Sequence, residues 1–395
     1  ALKLWDATIE NNIFVLCKTP MAKSITRRTL AGFRNTKVNA IYFKDLIKDI
    51  TNQPALVVNT IKDGKHFWKI NDNENMKFDA IVGNPPYQIT NPNDNQNRNS
   101  PIYHKFIQLA IALKPDYISM ITPARWYSNN ILLGDFPHTF LSDKRITYLH
   151  DFTNATNIFP NVEIKSGISY FLWDKDFNGK CQVESTINGK TTVSNRFLLN
   201  DYDDIFIRYN TALPIIRKVQ SIHETSFKTI VSPQNPFGFN TAIKGNKEKP
   251  DDSIIIISKG FTKNYISRKD ILIHQDWIDK YKIITPKAAE DGILPGKVLG
   301  KINILESGSC CNGTYIIIGP FTNYEHCRNV ANYMKTKFFR FLVGMKKMTQ
   351  DLKDQTFSLV PLQNFDYQWT DKELYEKYNL SDDEISFIES MVKPM

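Results

Sequence analysis

Cysteine is scarce in this sequence, and its spacing excludes the common metal-binding patterns. The 395 residues contain five cysteines, Cys17, Cys181, Cys310, Cys311 and Cys327, and no Cys-x-x-Cys pair. Structural zinc sites usually contain such pairs, so we expect neither a zinc site nor another metal. The odd number and irregular spacing favour reduced thiols, although a strained disulfide between the adjacent Cys310 and Cys311 stays an alternative.

Long apolar runs and targeting signals are also lacking. No apolar stretch approaches the roughly 20 residues that a membrane-spanning helix needs, and the amino terminus lacks the pattern of a secretory signal peptide. These absences predict a protein of the reducing cytoplasm with no membrane partner. The chain begins Ala-Leu-Lys-Leu-Trp, inside a predicted helix and without an initiator methionine, and we expect it to be the downstream part of something longer.

Positive charge, in contrast, is in excess. The chain has 50 Lys and Arg residues against 41 Asp and Glu, which gives a net charge of +9, and its pI is near 9.0. A basic balance suits a polyanionic partner such as nucleic acid, but charge alone does not establish one.

Short apolar runs alternate with helical patterns in the first part of the chain. Strands are predicted near residues 12–17, 38–43, 78–83, 117–121, 145–152 and 167–173, with helices near 21–30 and 101–113. This alternation predicts an α/β fold with a doubly wound, parallel, Rossmann-like sheet. Asp45, Asn84 and Pro123 follow predicted strands, and ligands bind at the carboxyl ends of strands in such sheets.

The pattern changes near residue 180. Short β-like runs follow at 254–257, 282–284, 298–304 and 314–319, and helices are predicted at 325–343 and 382–391. We therefore divide the chain into a catalytic domain at 1–178 and an α+β domain at 179–395.

The stretch Asn84-Pro85-Pro86-Tyr87 has a specific chemical use at the end of its strand. The two prolines fix the backbone and remove two N–H donors, so the Pro85 carbonyl and the Asn84 side-chain oxygen are two rigid acceptors. Such a pair binds an exocyclic amino group and directs its lone pair outward. Tyr87 supplies a flat ring on which a base can stack. A base must leave the duplex to reach such a pocket, at a cost of a few kcal/mol. The alternative is a proline-rich turn that only closes a strand.

The sequence resembles gamma-type adenine-N6 DNA methyltransferases of bacterial restriction–modification systems. "DAIVGNPPY" resembles the catalytic motif, and "PIYHKFIQLAIALKPDYISMITPARW" resembles the helix and strand that follow it. "NIFPNVEIKSGISYFLWDK" is similar to the motif with a second stacking aromatic, and "NVANYMKTKFFRFLV" and "SLVPLQNF" to the target-recognition domain. The resemblance implies methyl transfer from S-adenosylmethionine to a flipped-out adenine in double-stranded DNA.

The resemblance also implies roles for individual residues. Asn84 and Pro85 would hold the target amino group, with Tyr87 on one face of the adenine and Phe159 on the other. Asp45 matches the acidic position that hydrogen-bonds the adenine of S-adenosylmethionine, and Phe106 resembles the aromatic edge of the cofactor pocket. A helix N-cap role for Asp45, core packing for Phe106 and a hydrophobic plug role for Phe159 stay open as alternatives.

Two departures from the family pattern concern the cofactor. The glycine-rich cofactor loop is absent and is expected upstream of residue 1. The segment that should carry a ribose-binding carboxylate has Leu16, Cys17 and Lys18 instead. We expect three possibilities: an upstream polypeptide supplies the missing part, the sequence is a fragment, or catalysis has been lost.

Contacts to DNA are predicted mainly on one basic stretch. Lys337, Arg340, Lys346 and Lys347, with Lys335, are candidate phosphate contacts, and a solvated helix face is the alternative. A looser basic set consists of Lys244, Lys247, Lys249 and Lys259, and the Asn-rich residues 91–99 are also expected near DNA.

The leading hypothesis is a site-specific adenine methyltransferase, with a cognate restriction endonuclease as a further expected partner. The alternative is a non-catalytic or fragmentary DNA-recognition part of a fused restriction–methylation enzyme. No PD…(D/E)xK cluster is found, so we expect no DNA cleavage by this segment.

Overall fold

The structure is a computed structural model of the 395-residue chain. It describes residues 1–70, 75–90, 99–127, 131–162, 164, 166–199, 206–289, 294–347 and 351–395. Within these residues, no helix is both long enough and apolar enough to cross a membrane.

The chain divides into two compact units. The first consists of Ala1–Pro123, Asn130–His150 and Ser169–Gln182, and the second of Ala124–Asn129, Asp151–Ile168 and Val183–Met395. The functional division at 178/179 stays a prediction.

Helices occur along the whole chain. They are α1 (Leu2–Asn12), α2 (Pro20–Ala31), α3 (Leu46–Asn52), α4 (Pro54–Lys62), α5 (Tyr103–Leu113), α6 (Phe136–Leu141), α7 (Ala212–Gln220), α8 (Tyr324–Lys335), α9 (Lys337–Lys346), α10 (Asp371–Lys377) and α11 (Asp382–Met391).

The strands are short. They are β1 (Phe14–Cys17), β2 (Asn39–Tyr42), β3 (Ala80–Gly83), β4 (Gln88–Thr90), β5 (Asn99–Pro101), β6 (Tyr117–Pro123), β7 (Ile146–Phe152), β8 (Ile168–Asp174), β9 (Cys181–Ile187), β10 (Lys190–Arg196), β11 (Ser253–Ser258), β12 (Thr262–Ser267), β13 (Tyr281–Pro286), β14 (Asn303–Leu305), β15 (Ser309–Cys311) and β16 (Tyr315–Phe321).

The largest sheet in the described part of the chain has the strand order β10-β9-β7-β8-β6-β3. β3 and β6 are parallel, with Ala80 opposite Tyr117. β9 and β10 are joined by the two-residue turn Asn188-Gly189, and both turn residues have positive φ, as tight antiparallel hairpins require. The sheet is therefore mixed, which corrects the predicted all-parallel sheet while the α/β class is confirmed.

β1 and β2 form a separate parallel pair in the first unit, with Phe14 opposite Asn39. Local chemistry fixes the helix that follows β1, because the Thr19 side chain accepts a hydrogen bond from the Ala22 N–H and Pro20 occupies the first turn. The predicted strand–turn–helix at the amino terminus is confirmed.

Apolar residues from several elements of the first unit share one cluster. It contains Leu46 from α3 and Val57 from α4 among its buried members, with Leu16, Ile81 and Phe106 packed against them. β1, β3 and α5 therefore contribute to one core, although β1 and β3 belong to different sheets.

The second unit has a larger core, built mainly from α7, β13, β16 and the carboxy-terminal helices. The helix predicted at 325–343 is interrupted at Thr336, which has an extended ψ of 151°. Its side chain accepts a hydrogen bond from the Phe339 N–H and so begins α9. The strand predicted at 298–304 is reduced to β14, which begins at Asn303.

Candidate active site

The Asn84–Tyr87 turn follows the last residue of β3. Asn84 is exposed, Pro85 is buried, and Pro86 and Tyr87 are half-buried. The Ile102 N–H donates a hydrogen bond of 3.1 Å to the Tyr87 carbonyl. β4 leaves the turn and pairs antiparallel with β5, with Gln88 opposite Pro101. The turn is thereby fixed on both sides, and most of the Asn-rich stretch, residues 91–98, lies outside the described residues.

The Asn84 side chain is open for a ligand. It is exposed and forms no hydrogen bond with any residue that the structure describes. Because Pro85 and Pro86 have no N–H, the following backbone offers it no local donor that would close an Asx turn. The Asn84 oxygen is therefore an acceptor held at a strand end with its hydrogen-bonding capacity unused.

The Tyr87 side chain is half-buried. Its hydroxyl oxygen is buried and has no hydrogen-bond partner in the described part of the chain. Burial raises the pKa of Tyr87 to about 12, so the phenol is neutral at physiological pH. A neutral ring is suited to stacking on a base rather than to proton transfer.

Asp45 follows β2 and directly precedes α3. It occupies the N-cap position of the helix, but its side chain is exposed and makes no capping hydrogen bond, so the N-cap alternative stays open for the backbone position only. The carboxylate is left available to a ligand at the carboxyl end of the strand.

Phe106 lies in the first helical turns of α5 and is half-buried. It packs against the cluster that also contains Leu46, the neighbour of Asp45, and Ile81, three residues before Asn84. The first unit thus gathers the elements that carry Asp45, Phe106 and Asn84 around one core. Packing explains part of the burial of Phe106, so the core-packing alternative stays open beside a cofactor role.

Phe159 belongs to the second unit, on the loop between β7 and β8. It is half-buried, and its N–H donates a 2.9 Å hydrogen bond to the Ala155 carbonyl. The Asn154 side chain caps the same turn by accepting from the Thr156 N–H at 3.0 Å. The loop thus has internal hydrogen bonds that hold the backbone next to the aromatic ring.

The predicted phosphate contacts on α9 need correction at two positions. Arg340 is only 3 % exposed, and Lys347 only 2 %. Arg340 donates to the backbone carbonyls of Lys393, at 2.6 Å, and Lys335, at 3.2 Å. Side chains buried in this way cannot meet DNA phosphates without unfolding their surroundings, so the prediction is wrong for Arg340 and Lys347.

Other members of the same stretch are more accessible. The Lys337 ammonium pairs with Glu389, and its side chain is 27 % exposed. Lys346 is half-buried, and Lys335 is exposed at the end of α8. For Lys337 and Lys346 a phosphate contact stays a prediction, although the ion pair already engages Lys337.

The second basic set has the opposite character. Lys244, Lys247, Lys249 and Lys259 are all exposed. Their backbone is fixed, because Asn246 and Tyr265 exchange two backbone hydrogen bonds of 2.8 Å. Three acidic residues, Glu248, Asp251 and Asp252, lie in the same exposed stretch.

The free edge of β3 was not predicted from the sequence. In the described residues, β3 pairs with β6 on one side and with no strand on the other. Val82 is 77 % exposed although it belongs to an apolar strand. The apolar run predicted a strand near 78–83 but not its place in the sheet, because no local pattern distinguishes a central strand from one at an edge.

His104, in the first turn of α5, was also missed. It is 5 % exposed, and its Nδ1 atom is buried without a hydrogen-bond partner among the described residues. Burial, with a smaller contribution from Lys105, lowers its pKa to about 4.

The described residues contain no group of three or more His, Cys, Asp or Glu side chains that could hold a metal ion.

Comparison with known proteins finds similarity to one family over the first part of the chain. Residues 11–159 match the model of the Eco57I restriction-modification methylase family. An uncharacterized adenine-specific methylase of Mycoplasma pneumoniae is 31 % identical over 212 residues, which cover 47 % of this chain and 50 % of that protein. The chain thus spans about half the length of this curated relative.

Solved structures of restriction–modification enzymes are similar at low identity. A nuclease-deletion mutant of the Type ISP enzyme LlaGI, in complex with a DNA substrate mimic, has a TM-score of 0.49 at 12 % identity, covering 93 % of this chain and 47 % of that one. The DrdV–DNA complex has a TM-score of 0.44 at 9 % identity, covering 90 % of this chain and 50 % of that one.

The family model and the mycoplasma relative confirm the resemblance to adenine-specific methyltransferases of restriction–modification systems. The matched residues 11–159 include Asp45, the Asn84–Tyr87 turn, Phe106 and Phe159.

Proposed function

We propose that this chain forms part of a DNA adenine-N6 methyltransferase of a restriction–modification system. The enzyme transfers a methyl group from S-adenosylmethionine to an adenine flipped out of double-stranded DNA in the cytoplasm. The observation that carries the proposal is the open acceptor of Asn84 on a proline-fixed turn.

The turn acts on the target base by positioning. The Asn84 side-chain oxygen and the Pro85 carbonyl accept the two hydrogens of the exocyclic amino group, which holds the nitrogen lone pair outward. Because both acceptors are fixed before the base arrives, little ordering remains to be done at the moment of reaction. No covalent bond between the protein and the base is needed.

Stacking compensates for the cost of extracting the base. Flipping costs a few kcal/mol, and one aromatic platform returns roughly 1–3 kcal/mol. Tyr87 is the first proposed platform, with a half-buried ring at the end of the proline-fixed turn. Phe159 is the proposed second stacking residue.

The residues present fit the adenine end of S-adenosylmethionine, which when bound supplies an activated methyl group on a sulfonium. The exposed carboxylate of Asp45 would accept a hydrogen bond from the cofactor's amino group, and Phe106 would pack against its ring. The ribose end does not fit equally well, because the end of β1 has Leu16, Cys17 and Lys18 and no carboxylate.

We propose that a segment outside residues 1–395, such as an upstream polypeptide, completes the cofactor site. The support is the free edge of β3, where the apolar Val82 is exposed, together with the separate β1–β2 pair. β1 and β3 contribute Leu16 and Ile81 to one core, so an added strand that pairs with β3 would join an existing layer.

The main experiment measures methyl transfer from tritiated S-adenosylmethionine to DNA that lacks N6-methyladenine. The chain is assayed alone and after co-expression with the segment encoded directly upstream. Asn84→Ala should lower the rate of transfer by about 10²–10³-fold, the effect of removing one preorganised hydrogen-bonding group. Label must appear in N6-methyladenine.

The control is the free energy of unfolding. Asn84 is exposed and makes no hydrogen bond with described residues, so Asn84→Ala should change stability by less than about 0.5 kcal/mol. Full activity in Asn84→Ala, or label in a different base, would overturn the proposal.

The proposed strand addition has its own test at Val82. Val82→Lys places a charge at the free edge of β3 and should block pairing, whereas Val82→Thr keeps a β-branched side chain and should permit it. Both variants should stay folded because the side chain is exposed. Equal activity of the two variants after co-expression would exclude pairing at this edge.

The alternative function is DNA recognition without catalysis, as part of a fused restriction–methylation enzyme whose endonuclease lies elsewhere. It is favoured by the absent ribose carboxylate near Cys17. DNA binding with neither label nor calorimetric heat on titration with S-adenosylmethionine, even after co-expression, would support it.

A further inference from the structure

The loop between β7 and β8 is closed at its base by one arginine that sequence patterns do not mark. The loop, residues 153–166, carries Phe159, and Arg208 lies 42 residues beyond its end, before α7. All of these residues belong to the second unit.

Arg208 binds both ends of the loop. Its Nη1 atom donates to the Ser166 carbonyl at 2.8 Å, at the exit, and its Nη2 atom donates to the Phe152 carbonyl at 3.4 Å, at the entry. The guanidinium therefore connects the two backbone segments whose separation defines how far the loop is open.

Asp151 holds the guanidinium in place. Arg208 Nε donates to one carboxylate oxygen at 2.8 Å and Nη2 to the other at 2.7 Å, a two-point arrangement that fixes orientation. The Arg208 side chain is 6 % exposed and that of Asp151 0 %. Burial alone would lower the pKa of Arg208, but the Asp151 carboxylate outweighs it, and the pKa of Arg208 is raised above its ordinary value.

Gly167 allows the two ends of the loop to approach this closely. A Cβ atom at this position would lie 2.2 Å from the Phe152 carbonyl oxygen and 2.8 Å from Arg208 Nη2. Its φ of 73° is also in the region that side chains disfavour. Glycine is therefore required for the closed base of the loop.

We infer that Arg208 is a positioning residue that sets the place of Phe159 by closing the base of its loop. This inference rests on the proposed function for the purpose of the closure, which is to hold the stacking ring ready for a flipped base. Phe159 is linked to the entry side of the loop, where its N–H donates to the Ala155 carbonyl, so a constraint at the base acts on the backbone next to the ring.

The test uses Arg208→Lys, which keeps a positive charge next to Asp151 but removes the planar group that reaches both carbonyls. Hydrogen exchange of the intact chain, read by mass spectrometry, should accelerate by about tenfold or more in peptides that cover residues 153–166, as expected when charge-assisted hydrogen bonds are lost. Peptides that cover α8 and α9 should not change.

Arg340→Lys is the matched control. Arg340 is also buried in the second unit and donates to backbone carbonyls, those of Lys393 at 2.6 Å and Lys335 at 3.2 Å, neither of which belongs to the loop. It should leave exchange in 153–166 unchanged. If Arg208→Lys does not fold, Gly167→Ala opens the same base from the backbone side and replaces it.

A second readout asks whether Arg208 acts through Phe159. In the methyl-transfer assay, Arg208→Lys and Phe159→Ala should each lower the maximal rate, and the double variant should be no slower than Phe159→Ala alone. Unchanged exchange in 153–166, or losses that multiply in the double variant, would overturn the inference. If the wild-type chain transfers no methyl group even after co-expression with the upstream segment, the proposed function fails, and the exchange result alone decides whether Arg208 closes the loop.

Discussion

The Asn84–Tyr87 turn and helix α9 contain the polar residues for which the sequence most clearly predicted a function. In the structure, the exposure and hydrogen bonding of these two groups of residues are opposite. Asn84 is exposed and uses none of its hydrogen-bonding capacity on the described residues, whereas Arg340 is 3 % exposed and donates to several backbone carbonyls. A polar group available for chemistry must be left unsatisfied by its own fold. Residue type alone therefore does not separate a site from a structural anchor.

The largest expected effect that tests this comparison is at Arg340. Arg340→Ala removes the donor that satisfies the Lys393 and Lys335 carbonyls and leaves a cavity, so it should lower the free energy of unfolding by about 3 kcal/mol. Urea unfolding measures this loss. Lys372→Ala is the control, since that side chain is 85 % exposed, and should cost less than about 0.5 kcal/mol.

DNA affinity separates the two interpretations of Arg340. At a temperature where the variant is folded, its affinity for duplex DNA should equal that of the wild type. If the variant has unchanged stability and binds DNA more weakly, that result would support the phosphate contact of Arg340 that was predicted from the sequence.

The difference between these two regions also explains what sequence reasoning found. The turn was recognised because the residues that give it its chemistry, Asn84, Pro85 and Tyr87, lie next to one another in the sequence. They follow a run of apolar residues that predicts a strand. Most of the strands and helices in residues 12–174 were found for the same reason, since period and capping are local properties.

Distant contacts account for what was missed. Arg340 is buried by backbone from Lys297 and Lys393, which are 43 and 53 residues away. Arg208 meets Asp151 57 residues earlier in the chain. The spacing of residues along one helix cannot reveal partners that are so far away in the sequence. In addition, the break at Thr336 rotates α9 relative to the continuous helix that was predicted.

His104, a buried polar side chain of the first unit, offers a second test of the difference between exposed and buried polar groups. Its pKa of about 4 lies below the ordinary value of 6.5, so the unfolded chain takes up a proton first as the pH falls. The stability that neutral His104 contributes is complete above pH 6.5 and is lost as the pH falls from 6.5 towards 4. Between pH 7 and pH 5 the loss should be about 2 kcal/mol.

Urea unfolding at both pH values measures this loss, and the contribution of His104 is the part that disappears in His104→Gln. His66→Gln is the matched control, because the His66 side chain is 80 % exposed. The same pH dependence in His104→Gln as in the wild type would show that the buried ring is not the titrating group.

The smallest expected effect is on the DNA affinity of variants at exposed lysines, which extends the comparison between exposed and buried polar groups. Lys247 and Lys249 are exposed and form no ion pair with any residue that the structure describes, so they remain available for phosphates. Changing each to Gln should lower the slope of log affinity against log salt by about 1 per residue, with little loss of stability. Fluorescence anisotropy with a duplex at several salt concentrations measures this slope.

Lys335→Gln is the comparison variant, because Lys335 is an exposed cation from the basic stretch for which DNA contacts were mainly predicted. If only Lys335→Gln changes the slope, DNA is bound at the end of α8, and exposure alone would not have identified the DNA-binding lysines.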